Sequence, residues 1–256
     1  MVIIGIDYSA QKKLTGLALG DYNDSTVRIL SVCSGFDPNQ IVQQVRQWLK
    51  TDGPHLLAID APLGWPCLLS NELLNHQAGM PIGGERATLF FRLTDRVVHD
   101  ELKKWPLPVG ADRIAATAKS ALDMIQVLRQ ESGLAIPLAW HYENMVDPSA
   151  IEVYPSATLK SHGMKFSGYK DDKNKPARKE LIKELNNHVK LGSIKTNLED
   201  NDNLLDAVIC VLAASDFLRV QCLAPEDILG YNKELVEKEG WIWFMRQSTS
   251  QAGVRI

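Results

Sequence analysis

Asp7, Asp60 and Asp206 are the residues whose type and setting point to chemistry. Asp7 ends the apolar run Val2-Ile3-Ile4-Gly5-Ile6, and Asp60 ends Leu56-Leu57-Ala58-Ile59. Asp206 lies within Leu204-Leu205-Asp206-Ala207-Val208-Ile209, inside the most apolar helix of the chain. A carboxylate is rarely buried without a partner, because losing its hydration costs several kcal/mol. Three such placements suggest a metal site on Asp7, Asp60 and Asp206. Hard cations such as Mg2+ or Mn2+ take oxygen ligands. Two of them about 3.5–4 Å apart activate water and steady a leaving oxygen in phosphoryl transfer. Glu152, at the start of a short strand, is a candidate fourth carboxylate. Each acid alone has a plainer role. An Asp at a strand end forms turns or caps helices, which suits Asp60 before Ala61-Pro62. Asp206 has the alternative of an ion pair within the core. Asp202 lies four residues before Asp206, on the same face of a continuous helix. Its neighbours Glu199, Asp200, Asn201 and Asn203 make a helix cap the better reading for it.

Other residues offer weaker signals. Arg92, Asp95 and Arg96 fall on an expected helix, and the two arginines, sharing a face, form a candidate phosphate-binding group. The alternative is a solvated face with local ion pairs. Lys160, Lys165, Lys170, Lys173, Lys175, Arg178, Lys179 and Lys183 form the one strong basic run. It could track a nucleic-acid backbone, with Phe166 and Tyr169 stacking on bases. A solvated loop and helix start is the plainer reading, and the one expected here. Six histidines show no HExxH spacing, so zinc is not expected. His162 could be a base near the site, but a surface position is expected. Ser9 has no GxSxG context, and Gly79 to Gly84 lacks the Lys-Ser/Thr of a phosphate loop.

The elements that must position the acids can be read around them. Val2 to Ile6, Leu14 to Leu19 and Val27 to Cys33 read as three strands of an antiparallel meander, with a turn over Asp21 to Ser25. Pro38 to Lys50 reads as a helix with Asp37 as its cap and Ile41, Val45, Trp48 and Leu49 inward. That helix makes the strand ending at Asp60 a parallel neighbour of the first. Residues 62–150 read as a helical insertion, with the better helices over Ala87 to Leu102 and Ala111 to Gln130. A strand over Ile151 to Tyr154 follows. Then come an exposed segment from Lys170, a helix with Leu181, Ile182, Leu185 and Val189 inward, and the buried helix Leu204 to Leu218. Trp241 to Phe244 reads as a late core strand. The expected fold is α/β, as one domain over residues 1–256.

The 256 residues are enough for one large core. The net charge of −3 weighs against a general nucleic-acid binder but allows a local basic patch. Four scattered cysteines without a CxxC pair fit a reduced, cytoplasmic protein. No signal peptide or membrane span is expected.

Taken in order, Gly5-Ile6-Asp7, Ala58-Ile59-Asp60-Ala61-Pro62-Leu63-Gly64, Glu152-Val153-Tyr154-Pro155 and Asp206-Ala207 resemble the DUF429 family. Arg92-Leu93-Thr94-Asp95 and Glu239-Gly240-Trp241-Ile242 extend the resemblance over nearly the whole chain. That family is described as predicted nucleases with a ribonuclease H-like fold. The resemblance implies a mixed sheet, three antiparallel strands then parallel ones, with the acidic site on Asp7, Asp60 and Asp206. The leading expectation is a metal-dependent phosphodiester hydrolase acting on nucleic acid or a smaller phosphoester. An actin-like phosphotransferase or ATPase is the alternative, but residues 8–13 contain none of the glycine its phosphate hairpin needs. A non-enzymatic binding protein is a third.

Overall fold

The apolar N-terminal runs form the centre of a sheet. In the computed structural model, which describes residues 1–35 and 38–247, β1 (Val2–Asp7), β2 (Gly16–Asn23) and β3 (Thr26–Ser34) make an antiparallel meander. The turn between β2 and β3 is shorter than the composition suggested. Only Asp24 and Ser25 remain outside the strands, both at positive φ (46° and 59°), as the tightest hairpins require. The second strand also starts later than expected, because Lys12–Leu14 closes a 3-10 turn.

The helix α1 (Pro38–Trp48) then carries the chain over the sheet, and β4 (His55–Asp60) lies parallel to β1. Asp37, expected to cap α1, falls outside the described residues. The insertion follows as α2 (Cys67–Leu73), α3 (Arg86–Phe90), α4 (Leu93–Leu102) and α5 (Asp112–Ser132). One helix was expected over 87–102, but the chain is extended at Phe91 and Arg92. Asp95 accepts the Arg92 backbone N–H at 2.9 Å and starts a new helix there.

β5 (Ser149–Val153) pairs parallel with β4 and leads into α6 (Pro155–Ser161) and α7 (Lys175–Leu185). Val189, read as an inward helix position, instead opens the two-residue strand β6 (Val189–Lys190), parallel to β3. The remaining elements are α8 (Lys195–Asp200), α9 (Asp202–Leu218), α10 (Lys233–Glu239) and β7 (Ile242–Trp243), parallel to β5. The strand order β6-β3-β2-β1-β4-β5-β7 is thus an antiparallel meander extended by parallel strands. This α/β sheet with flanking helices agrees with a ribonuclease H-like fold.

Two apolar cores lie on opposite faces of the sheet. One packs α1 and α5 against Ile4, Ile6, Leu57 and Ile59. The other packs α9, with parts of α4, α6 and α7, against Ile3, Leu56 and Ala58. Residues Leu204 to Leu218 of α9 are all buried, as an all-round apolar helix demands. Glycines allow α9 to lie close. A Cβ on Gly5 would stand 2.1 Å from the Ala207 carbonyl oxygen, and one on Gly16 would stand 2.1 Å from that of Asn203. Among the described residues, no helix is long and apolar enough to cross a membrane.

Candidate metal centre

The parallel register sets Asp7 directly beside Asp60. Both are the last residues of their strands, where the chain leaves the apolar core. Alternation along β1 puts Asp7 on the same face as Gly5, the face covered by α9. Asp206 stands beside Ala207, the residue whose carbonyl lies against Gly5. Carboxylate oxygens of Asp7, Asp60 and Asp206 consequently lie within 4.8 Å of one another. Asp206 is fully buried, whereas Asp7 and Asp60 are half-buried at the sheet edge.

Three carboxylates this close repel. Burial, then the charges of Asp206 and Asp60, pushes the Asp7 carboxyl well above its ordinary range. Burial first, partly offset by the Lys170 ammonium and reinforced by Asp206 and Glu152, pushes Asp60 up to about 7. Asp206 is raised by burial, although Lys170 and the Tyr169 hydroxyl pull it back. The Tyr169 hydroxyl donates to Asp206 Oδ1 at 2.7 Å. Lys170 Nζ donates to Asp206 Oδ2 in a close ion pair. Burial alone would favour neutral Lys170, but Asp206, Asp60 and Asp7 hold it charged.

This donor set fits a divalent cation. Every ligand atom is a carboxylate oxygen, the hard donor that Mg2+ and Mn2+ prefer. One ammonium can balance only one of the three carboxylates when all are ionised.

Glu152 is not gathered with the three acids. The β4–β5 register pairs it with Ile59 rather than Asp60. Glu152 lines the same cavity as Asp60, but its carboxylate is taken up by other partners. Arg92 Nη2 and Nη1 donate to its two oxygens at 2.7 and 2.9 Å, and the Leu63 N–H donates at 2.9 Å. Arg92 also binds Asp95 through Nε and Nη2, at 3.1 and 2.9 Å. Its Nη1 reaches the Glu239 carbonyl at 3.2 Å. Arg92 and Asp95 are thus committed to a buried knot, and the guanidinium has no free edge for a phosphate. Arg92 does not share a helix face with Arg96, because it precedes α4. Arg96 is half-buried, and its Nε has no hydrogen-bond partner among the described residues.

Asn201, not Asp202, caps α9, accepting from the Asn203 and Leu204 N–H groups. Asp202 adds like charge that raises Asp7 and Asp206. His162 is neither a base at the site nor a surface residue. Its side chain is 5% exposed, and its Nε2 lies 2.7 Å from Asp216 Oδ2. Asp216 is on α9 about 15 Å beyond Asp206. Tyr169, considered as a base-stacking residue, is 1% exposed and cannot stack. Tyr169 and Lys170 join the site although nothing local in the sequence separates them from the surrounding lysine run. Glu239 carries no sequence signal either, yet its carboxylate accepts from the Cys67 and Leu93 N–H groups at 2.7 and 2.6 Å.

Beside Asp60 the surface opens into a cavity of about 270 Å³. Pro106, Leu107 and Ile114 form its apolar wall, and Tyr154, Ser156 and Lys170 its polar wall. The family model described as "Protein of unknown function (DUF429)" matches residues 5–228. No curated protein matches the chain.

Proposed function

The chain belongs to the DUF429 family, and on that premise we propose that it is a metal-dependent phosphodiester hydrolase of the nuclease kind. One observation carries the reading: carboxylates from two strand ends and one buried helix converge within 4.8 Å. A divalent cation there would supply Lewis acidity and a nucleophilic water at neutral pH.

The chain's own residues have separable tasks. Asp7, Asp60 and Asp206 hold the ion, with Tyr169 fixing the orientation of Asp206 through its hydrogen bond. Lys170 balances the acids without a cation. With a cation held on Asp206, Lys170, which lines the cavity, would be free to meet a substrate phosphate there. The Arg92–Glu152 pair holds the Leu63 N–H and so shapes the loop just after Asp60. Apolar cavity walls exclude water from one side of the bond to be cut.

A second reading is favoured by the Lys170–Asp206 ion pair. In it, lysine neutralises the cluster permanently and the protein binds without catalysis. Calorimetric titration with Mn2+ separates the two. Wild-type protein should give saturable heat, and Asp7→Asn should remove it, together with Mn2+-dependent cleavage of a nucleic-acid substrate. Absence of an Asp7-dependent heat would sink the metal reading.

A further inference from the structure

We propose that a strip of lysines and aromatic rings beside the cavity is the track on which single-stranded nucleic acid is led to the carboxylates. The inference rests on the reading of those carboxylates as a hydrolytic site. It concerns residues outside the metal centre.

Both cavity walls continue outward into the strip. On one side Pro106 and Leu107 line the cavity, and Lys103, Lys104 and Trp105 immediately precede them. On the other side Ser156 lines the cavity. Lys160 follows it by four residues in α6, on the same helix face and about 6 Å away. The two sides meet beyond the cavity. Lys160 Nζ donates to the Lys103 carbonyl at 3.4 Å. Phe166 lies under two ammonium groups, Lys160 Nζ at 4.7 Å and Lys104 Nζ at 5.7 Å from its ring centre. Lys165 is exposed next to it.

The aromatic part is built rather than incidental. Trp105 is 42% exposed, yet its ring is held by His99, stacked at 4.0 Å and 19°, and by Phe91 at 4.4 Å. A ring so braced presents a fixed surface for stacking. Asp100, the acid beside His99, faces its Nδ1 at 2.9 Å.

Lys103, Lys104, Lys160 and Lys165 complement a polyanion on a chain whose overall charge is −3. Clustered lysines next to an exposed ring suit a flexible strand, because backbone charge and an unstacked base are met together. A duplex hides its base faces and offers nothing to Trp105. The cavity between strip and carboxylates, about 270 Å³ with one apolar wall, has room for one base at the point of entry.

Fluorescence anisotropy with a labelled thymidine decamer, in EDTA, tests the track without the metal. Wild-type protein should bind the single strand more tightly than the corresponding duplex. The combined variant Lys104→Ala/Lys160→Ala/Lys165→Ala should bind at least tenfold more weakly. The slope of log affinity against log salt should fall by about 2 for three lost contacts. Trp105→Ala should also weaken binding about tenfold but leave the slope unchanged, and Trp105→Phe should restore most of it. Mn2+ titration heats should stay at the wild-type value in all these variants. Unchanged oligonucleotide binding in the lysine variant, no binding by the wild type, or tighter duplex binding would overturn the track. Loss of Mn2+ heat in Asp7→Asn with retained strip-dependent binding leaves both readings standing. Strip-dependent binding by a protein that takes up no Mn2+ would retain the track and reject the hydrolytic site.

Discussion

Asp60 makes the strain in the site measurable. Its folded pKa of about 7 exceeds the value near 4 of an unfolded chain. Between those limits the folded protein keeps a proton that the unfolded chain has released. Without metal, the contribution of Asp60 to stability should therefore be fully present below about pH 4 and be lost as pH rises through 7. Asp60→Asn should flatten that fall in thermal melts in EDTA. A melting temperature that climbs from pH 4 to 7 in the wild type, for reasons traced to Asp60, would contradict the assignment. Added Mn2+ should reverse the trend, since cation and proton compete for the same oxygens. Asp206→Asn removes one of three repelling charges. It should abolish stabilisation by Mn2+ while leaving the metal-free protein as stable as wild type, or up to about 2 kcal/mol more so. These three acids were legible because each interrupts or ends an apolar run, an unusual place for a charge. Lys170 was not. It is one of eight basic residues in its run, and only the path of α9 across the sheet makes it the one that meets Asp206.

Two elements control how accurately those acids meet. α9 reaches β1 only because Gly5 has no side chain, a Cβ there standing 2.1 Å from the Ala207 backbone oxygen. Gly5→Ala should push the helix outward at a cost of about 1–3 kcal/mol and weaken Mn2+ binding at least tenfold, read by urea unfolding and by calorimetry. The knot of Arg92, Asp95 and Glu152 ties α4 to β5 and the loop after β4. Arg92→Met leaves two buried carboxylates without their cation. It should cost about 3–5 kcal/mol in urea unfolding, far more than substitution of an exposed ion pair. The long elements were visible from composition and period: the meander, α5, and α9 with its apolar surface. Short ones were not. β6 is two residues, too few for any alternation to register. The break between α3 and α4 depends on a side-chain cap by Asp95, which in sequence looks the same as an ordinary i,i+3 pair along one helix. Glu152 reads as a candidate fourth acid, and nothing near it in sequence shows that Arg92, 60 residues earlier, takes up its carboxylate.

At the scale of the whole molecule, the insertion and the sheet share their cores. α5 packs with α1 on one face, and α4 packs with α9 and α6 on the other. Tryptophan fluorescence and far-ultraviolet circular dichroism should consequently follow the same urea transition. An early, separate loss of helix signal would show the insertion folding by itself. Residues 7, 60 and 206 reach the centre from distant parts of the chain, and this has a kinetic side. An ion gripped by all three acts as a removable cross-link between the first strand, the fourth strand and the ninth helix. It can form only after those elements have docked, so it should leave the folding rate nearly untouched and slow unfolding instead. Chelation would then work as a release catch, setting how long a folded molecule survives rather than how quickly it is made.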